Sequence, residues 1–217
     1  EVDRNGTHGR FILTGSQNFS LSSAISQSLA GRTAVIELLP LSYDELLLFE
    51  DPPLTIWAAV FQGGYPRIVN EQIPPSRWLS DYVRTYIERD VRQLTQVGDL
   101  YAFSNFLKLV AGRTACELNQ NELGADAGVT QPTAKSWYSI LEASYLCLRL
   151  PSFASSVTSR VIKRPKIHML DSGLACDLLG IQSAEVLTTH PLRGAIFESW
   201  VATEIYKYRV HRRQRAA

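Results

Sequence analysis

Cysteine is scarce. Cys116, Cys147 and Cys176 are an odd number at wide spacing with no C-x-x-C pair, so neither a disulfide framework nor a zinc site is indicated. His8, His168, His190 and His211 never stand at ligand spacing, and no Ser-His-Asp order suggests a triad. The longest mainly apolar runs, Ala34–Leu41 and Leu46–Phe49, fall far short of the ~20 residues a membrane span needs, and the first residues lack a basic-then-apolar targeting pattern. These absences predict a soluble protein of a reducing cytoplasm with no membrane partner. None of the 13 glycines opens a G-x-x-x-x-G-K-[ST] loop, and no apolar strand ends in paired carboxylates that would hold magnesium. By itself the chain is therefore not expected to cradle and hydrolyse ATP in the P-loop manner. Acids are missing between Glu142 and Asp171, where Arg149, Arg160, Lys163, Arg164 and Lys166 lie, and again around Lys207, Arg209, Arg212, Arg213 and Arg215. A polyanion, if one binds, belongs on this half; the alternative is a solvated loop and a fraying tail.

What is present is 217 residues, 45% hydrophobic and 20% charged, enough for a sizeable core. Phe11–Leu13 and Ala34–Leu39 read as buried strands flanking a helix over Leu21–Leu29, which points to part of a parallel sheet. Ser42-Tyr43-Asp44-Glu45 has capping-box form ahead of Leu46–Leu48, and Asp51-Pro52-Pro53 stops that helix. Gly63-Gly64-Tyr65-Pro66 marks a turn. Apolar residues at 79, 82, 83, 86, 87, 91 and 94, then at 103, 106, 107 and 110, give two further helices. Arg84, Glu88, Arg89 and Asp90 read as an ion-paired helix face.

Residues 117–170 carry the most informative arrangement. Asn119 is placed to cap a helix over Gln120–Ala127 that ends at Gly128, and Thr130 to cap a second with Pro132 in its first turn. Ala134, Trp137, Tyr138 and Leu141 share one side of that second helix, leaving Gln131, Thr133, Lys135 and Ser136 for solvent. Leu146–Pro151 and Val161–Leu170 then read as the strands of a hairpin. Helix, turn, helix and hairpin together make a winged helix. A helix over Leu174–Leu179 and a last one over 191–208 follow, the latter with Ile196, Trp200, Val201, Ile205 and Tyr208 expected on its core side.

Several blocks carry a resemblance: Phe11–Asn18, Ser28–Arg32, Glu37–Leu46, Phe61–Pro66, Tyr86–Val91, Pro165–Leu174 and Gly194–Val201. In this order they resemble the prokaryotic AAA-superfamily ATPases that carry a C-terminal domain of unknown function, in which a P-loop core precedes a winged helix and a module similar to the PD-(D/E)xK nuclease fold. The resemblance implies an ATPase-core remnant over 1–50, entered after both Walker motifs, a helical connector over 51–100, a winged helix over 101–170, and the truncated start of the nuclease-like α/β module over 171–217. The fold class expected is thus a partial parallel sheet followed by mainly α structure.

From composition alone, Ser16 and Asn18 are either a polar turn or groups that orient a γ-phosphate. The resemblance puts them at the sensor-1 position and makes Arg32 the side chain acting on phosphate, its alternative being a helix cap or ion pair. ATP and magnesium are implied for the full-length family, and none for this chain. Glu198 matches a metal-holding glutamate of the nuclease-like modules, but without converging carboxylates no metal site or nuclease is expected. No catalytic residue is assigned. The expected function is a DNA-binding or regulatory module without its own ATPase activity, with Gln131, Thr133 and Lys135 near base edges and Arg160, Lys163 and Arg164 on phosphates of duplex DNA. The alternative is protein docking without nucleic acid. Self-association or a neighbouring subunit is expected to cover the apolar edge of the partial sheet.

Overall fold

The computed structural model of the protein describes residues 12, 34, 36–86, 99–153 and 164–212. The chain divides into two units, Glu1–Val35 and Ile36–Ala217, and the elements of the second are as follows. They are ten helices and two strands among the described residues. In chain order they are α1 (Tyr43–Leu46), α2 (Ile56–Gln62), α3 (Pro66–Asn70), α4 (Pro75–Tyr86), α5 (Leu100–Gly112), α6 (Gln120–Asp126), α7 (Gln131–Ala143), β1 (Cys147–Leu150), β2 (Lys166–Met169), α8 (Ser172–Leu178), α9 (Ala184–Thr189) and α10 (Arg193–His211). No described helix is long and apolar enough to cross a membrane.

Local chemistry explains most helix starts. Ser42 and Glu45 form a reciprocal capping box on α1. Asn119 accepts from the Glu122 amide at the start of α6, and Thr130 from the Thr133 amide at the start of α7 with a proline in the first turn. Helix α1 is a single turn, because three consecutive leucines cannot share one helical face; Leu46 is buried, while Leu47 and Leu48 face solvent.

The mainly helical architecture agrees with the α part of the expected fold, while most of the expected α/β start lies outside the described residues. Residues 36–39 form no strand, and the sheet found among the described residues is a two-stranded antiparallel pair, β1 with β2, in the register Cys147 to Met169 and Leu150 to Lys166. A parallel ladder needs a second strand, and Phe11–Leu13, expected to supply it, lies outside the described residues except for Ile12.

Two apolar clusters organise this unit. The larger joins α4, α5, α6, α7 and both strands around Phe103, Phe106, Leu107, Trp137, Tyr138 and Leu141. The smaller gathers Val60, Cys176, Ile181, Leu187 and Ile196. Helix α8 belongs to both: Leu174, Ala175 and Leu178 enter the first, Cys176 the second. It packs on α2, α4, α5, α10 and β2.

Helix α10 is the largest departure from the sequence reading. Its buried residues are Ile196, Ser199, Thr203 and Lys207, whereas Val201, Ile205 and Tyr208 are exposed. The inward face is rotated by about 100° from the expected apolar side, at 100° per residue. Polar partners at the seam, described next, are the physical reason.

Candidate nucleic-acid interface

Helix α7 follows α6 through the left-handed Gly128 and packs against it. Ala134, Trp137, Tyr138, Ile140 and Leu141 turn inward, with Trp137 edge-on to Phe103 and Phe106 at 5.2 and 5.5 Å. Gln131, Lys135 and Ser136 lie exposed on the opposite side, as expected; the carboxylate on α7, Glu142, stands near its C-terminal end, half-buried and paired with Arg149. Thr133 is half-buried, and its hydroxyl is shared with Thr130 at 2.9 Å, so it serves the helix start.

The strand pair lies beside α7. Ahead of α6, Glu117 bridges to Lys166, and the amides of Ala115 and Leu118 donate to the carbonyls of Ile167 and Pro165. An extended segment before the helix pair thus adds to the outer edge of β2. Arg164 is exposed and makes no ion pair among the described residues; Arg160 and Lys163 lie outside them, as do Ser16, Asn18 and Arg32.

The basic cluster expected in this hairpin is smaller in space than in sequence. Arg149 pairs with Glu142 and stands 5.1 Å over the Tyr138 ring, and Lys166 pairs with Glu198 at 2.6 Å. Both acids come from other elements, so an acid-free stretch of sequence is not acid-free once folded. Lys207 likewise leaves the expected basic tail: it is buried, and its ammonium donates to Glu204 and to the Leu41 carbonyl, each at 2.9 Å. Arg212 lies 4.4 Å over the Tyr208 ring, and Arg213 and Arg215 are outside the described residues. Among the described residues no group of three His, Cys, Asp or Glu converges as metal ligands would.

Behind the interface lies a buried polar seam that sequence reasoning missed. Ser199 Oγ sits 2.9 Å from His168 Nδ1 and 2.6 Å from Thr114 Oγ1, which accepts from the Met169 amide at 2.9 Å. His168 Nε2 has no hydrogen-bond partner among the described residues. Burial lowers the imidazole pKa from its ordinary 6.5, the nearby Glu198 opposing and Lys166 reinforcing the shift. With His168 and Ser199 both sealed from solvent, this pair meets no substrate and joins β2 to α10.

Asp171 forms a second buried node. It accepts from the Gly64 amide at 2.7 Å and from the Leu174 amide at 2.8 Å, capping α8 and holding the Gly63-Gly64 turn. Burial raises its carboxyl above the usual range, against the pull of Lys207 and these amides. The glycines are required by contact: Gly63 has φ +72, and a Cβ on it would lie 2.4 Å from Asp171 Oδ1, while one on Gly64 would lie 2.3 Å from the Leu41 carbonyl. Blocks that carried the resemblance, around residues 41–43, 64, 168–171 and 199–200, therefore meet in space as an architectural node.

Residues 55–185 match the domain of unknown function DUF8612. The chain belongs to that family. Ahead of the DUF8612 region, residues 1–47 match an AAA domain, in agreement with the coarser part of the resemblance. Two relatives, uncharacterized proteins of Mycobacterium bovis and Mycobacterium tuberculosis, are each 27% identical over 206 residues, 94% of this chain and 46% of the relative. The chain spans about half the length of these curated relatives. No solved structure matches it.

Proposed function

We propose that the DUF8612 region contains a winged helix, Leu100–Met169, which binds duplex DNA as part of a AAA-domain protein. Its element order supports this reading: helix, short extended bridge, helix, helix and two antiparallel strands. The observation that carries the DNA role is the exposed N-terminal part of α7, where residues 131–141 include no acid and Gln131 and Lys135 stand at the end that a recognition helix sets against base edges. Arg160, Lys163 and Arg164 supply phosphate contacts. Within a longer AAA-domain protein, Ser16, Asn18 and Arg32 would face the phosphates of a nucleotide, ATP with magnesium would supply the chemistry, and a neighbouring subunit would be the natural partner of the AAA region.

Electrophoretic retardation across a salt series tests this. Replacing Lys163 and Arg164 by alanine is expected to lower the slope of log affinity against log salt by about two and to weaken binding evenly across sequences. Lys135→Ala is expected to weaken binding as well. Absence of binding at ~50 mM salt favours the second reading, a protein-docking module. That reading draws on the pairing of Arg149 and Lys166 with acids, which removes two cations from the hairpin. On the resemblance to nuclease-like modules, α8–α10 begin the C-terminal module; Glu198 then serves as the partner of Lys166.

A further inference from the structure

The last residues of the AAA match lie within the same structural unit as the DUF8612 region: the match runs to residue 47, but the unit begins at Ile36. Several contacts of residues 37–46 are polar. Burial, and next the Glu37 carboxylate, push the phenol of Tyr145, just past α7, up to about 12. The Leu41 amide donates to the Gly64 carbonyl at 2.7 Å, and the Leu41 carbonyl accepts from Lys207. The Tyr43 amide donates to Glu204 at 2.7 Å, and Tyr43 sits edge-on to Trp200 at 5.6 Å. Lys207 and Glu204 also pair with each other, so one ion pair on α10 grips the segment at a carbonyl and at an amide two residues apart.

Two leucines in this segment, Leu39 and Leu46, are buried, yet neither belongs to either apolar cluster. A segment seated outside both cores, gripped by an ion pair on α10 as well as by these two leucines, can leave without dismantling them. The geometry points to residues 37–46 as a releasable latch: the Glu204–Lys207 clasp on α10 holds the end of the AAA-matched stretch down, and opening the clasp frees that stretch while the helix pair and hairpin stay folded. This inference rests on the contacts alone and is independent of whether DNA is bound.

Hydrogen exchange of the full chain, followed by mass spectrometry, tests it. The reporters are the amides of Leu41 and Tyr43, whose acceptors, the Gly64 carbonyl and the Glu204 carboxylate, lie outside the latch. Lys207→Met is expected to speed their exchange at least tenfold and to leave α5 and α7 within twofold of the wild type; Lys108→Met, the same change at an exposed lysine of α5, is expected to alter neither. Should Lys207→Met fail to fold, Glu204→Gln is read in the same way, with a smaller expected rise because glutamine still accepts from Tyr43. Exchange at Leu41 and Tyr43 that does not change, or that rises by the same factor as in α5 and α7, overturns the latch.

Discussion

Asp171 shows how much can depend on one carboxylate. Each of its oxygens accepts a backbone N–H, from Gly64 and from Leu174. In Asp171→Asn one oxygen becomes an NH2 group facing a donor, so the variant is expected to lose about 1–3 kcal/mol in chemical denaturation. Gly64→Ala, whose methyl would meet the Leu41 carbonyl, is expected to cost roughly as much, about 1–3 kcal/mol by the same measurement. His168 makes a pH-dependent contribution. Its folded pKa lies below the ordinary 6.5, so the unfolded chain binds the proton more readily. Stability from this site is complete above about pH 6.5 and falls as the pH drops below it, since the charged ring would be buried with Nε2 unpaired. Melting temperatures from pH 8 to pH 5 are expected to show that decline, and His168→Gln to flatten it.

Among the elements, α7 and α10 behave oppositely. Thr130→Ala is expected to cost about 1 kcal/mol, because the α7 cap is a local hydrogen bond with no substitute. On α10, Ile205→Glu is expected to change stability by less than about 0.5 kcal/mol, while Ile196→Ala costs about 2–5 kcal/mol, both read by urea unfolding. A plain amphipathic reading of the sequence would give both isoleucines core weight. Caps and turns such as Ser42, Asn119, Thr130 and Gly128 were legible because each acts on residues two to four positions away. The α7 face was legible too, since its apolar stripe has ordinary helical spacing. The α10 face was not, because what draws Ser199 and Lys207 inward is His168, Thr114 and the Leu41 carbonyl, all remote in sequence. Arg149 and Lys166 stood in an acid-free window for the same reason: Glu142 and Glu198 reach them only through the fold. Helix α9 escaped notice because six residues are too few for a period to declare itself, though Ser183 caps it.

For the whole molecule, the absence of a P-loop sequence predicts that this 217-residue chain shows no magnesium-dependent ATP turnover above background in a phosphate-release assay. A rate that survives rigorous purification would refute this. A different whole-molecule property follows from α8. Seven residues long and buried along most of its length, it lends side chains to both apolar clusters and accepts the Asp171 cap that ties down the Gly63-Gly64 turn. Neither cluster can melt while the other keeps α8 in place. The two clusters should therefore unfold as one cooperative block, giving a single endotherm whose van't Hoff and calorimetric enthalpies agree. A cavity cut into the smaller cluster by Val60→Ala should then lower the same transition temperature as one cut into the larger by Leu107→Ala, although the two sites share no direct packing.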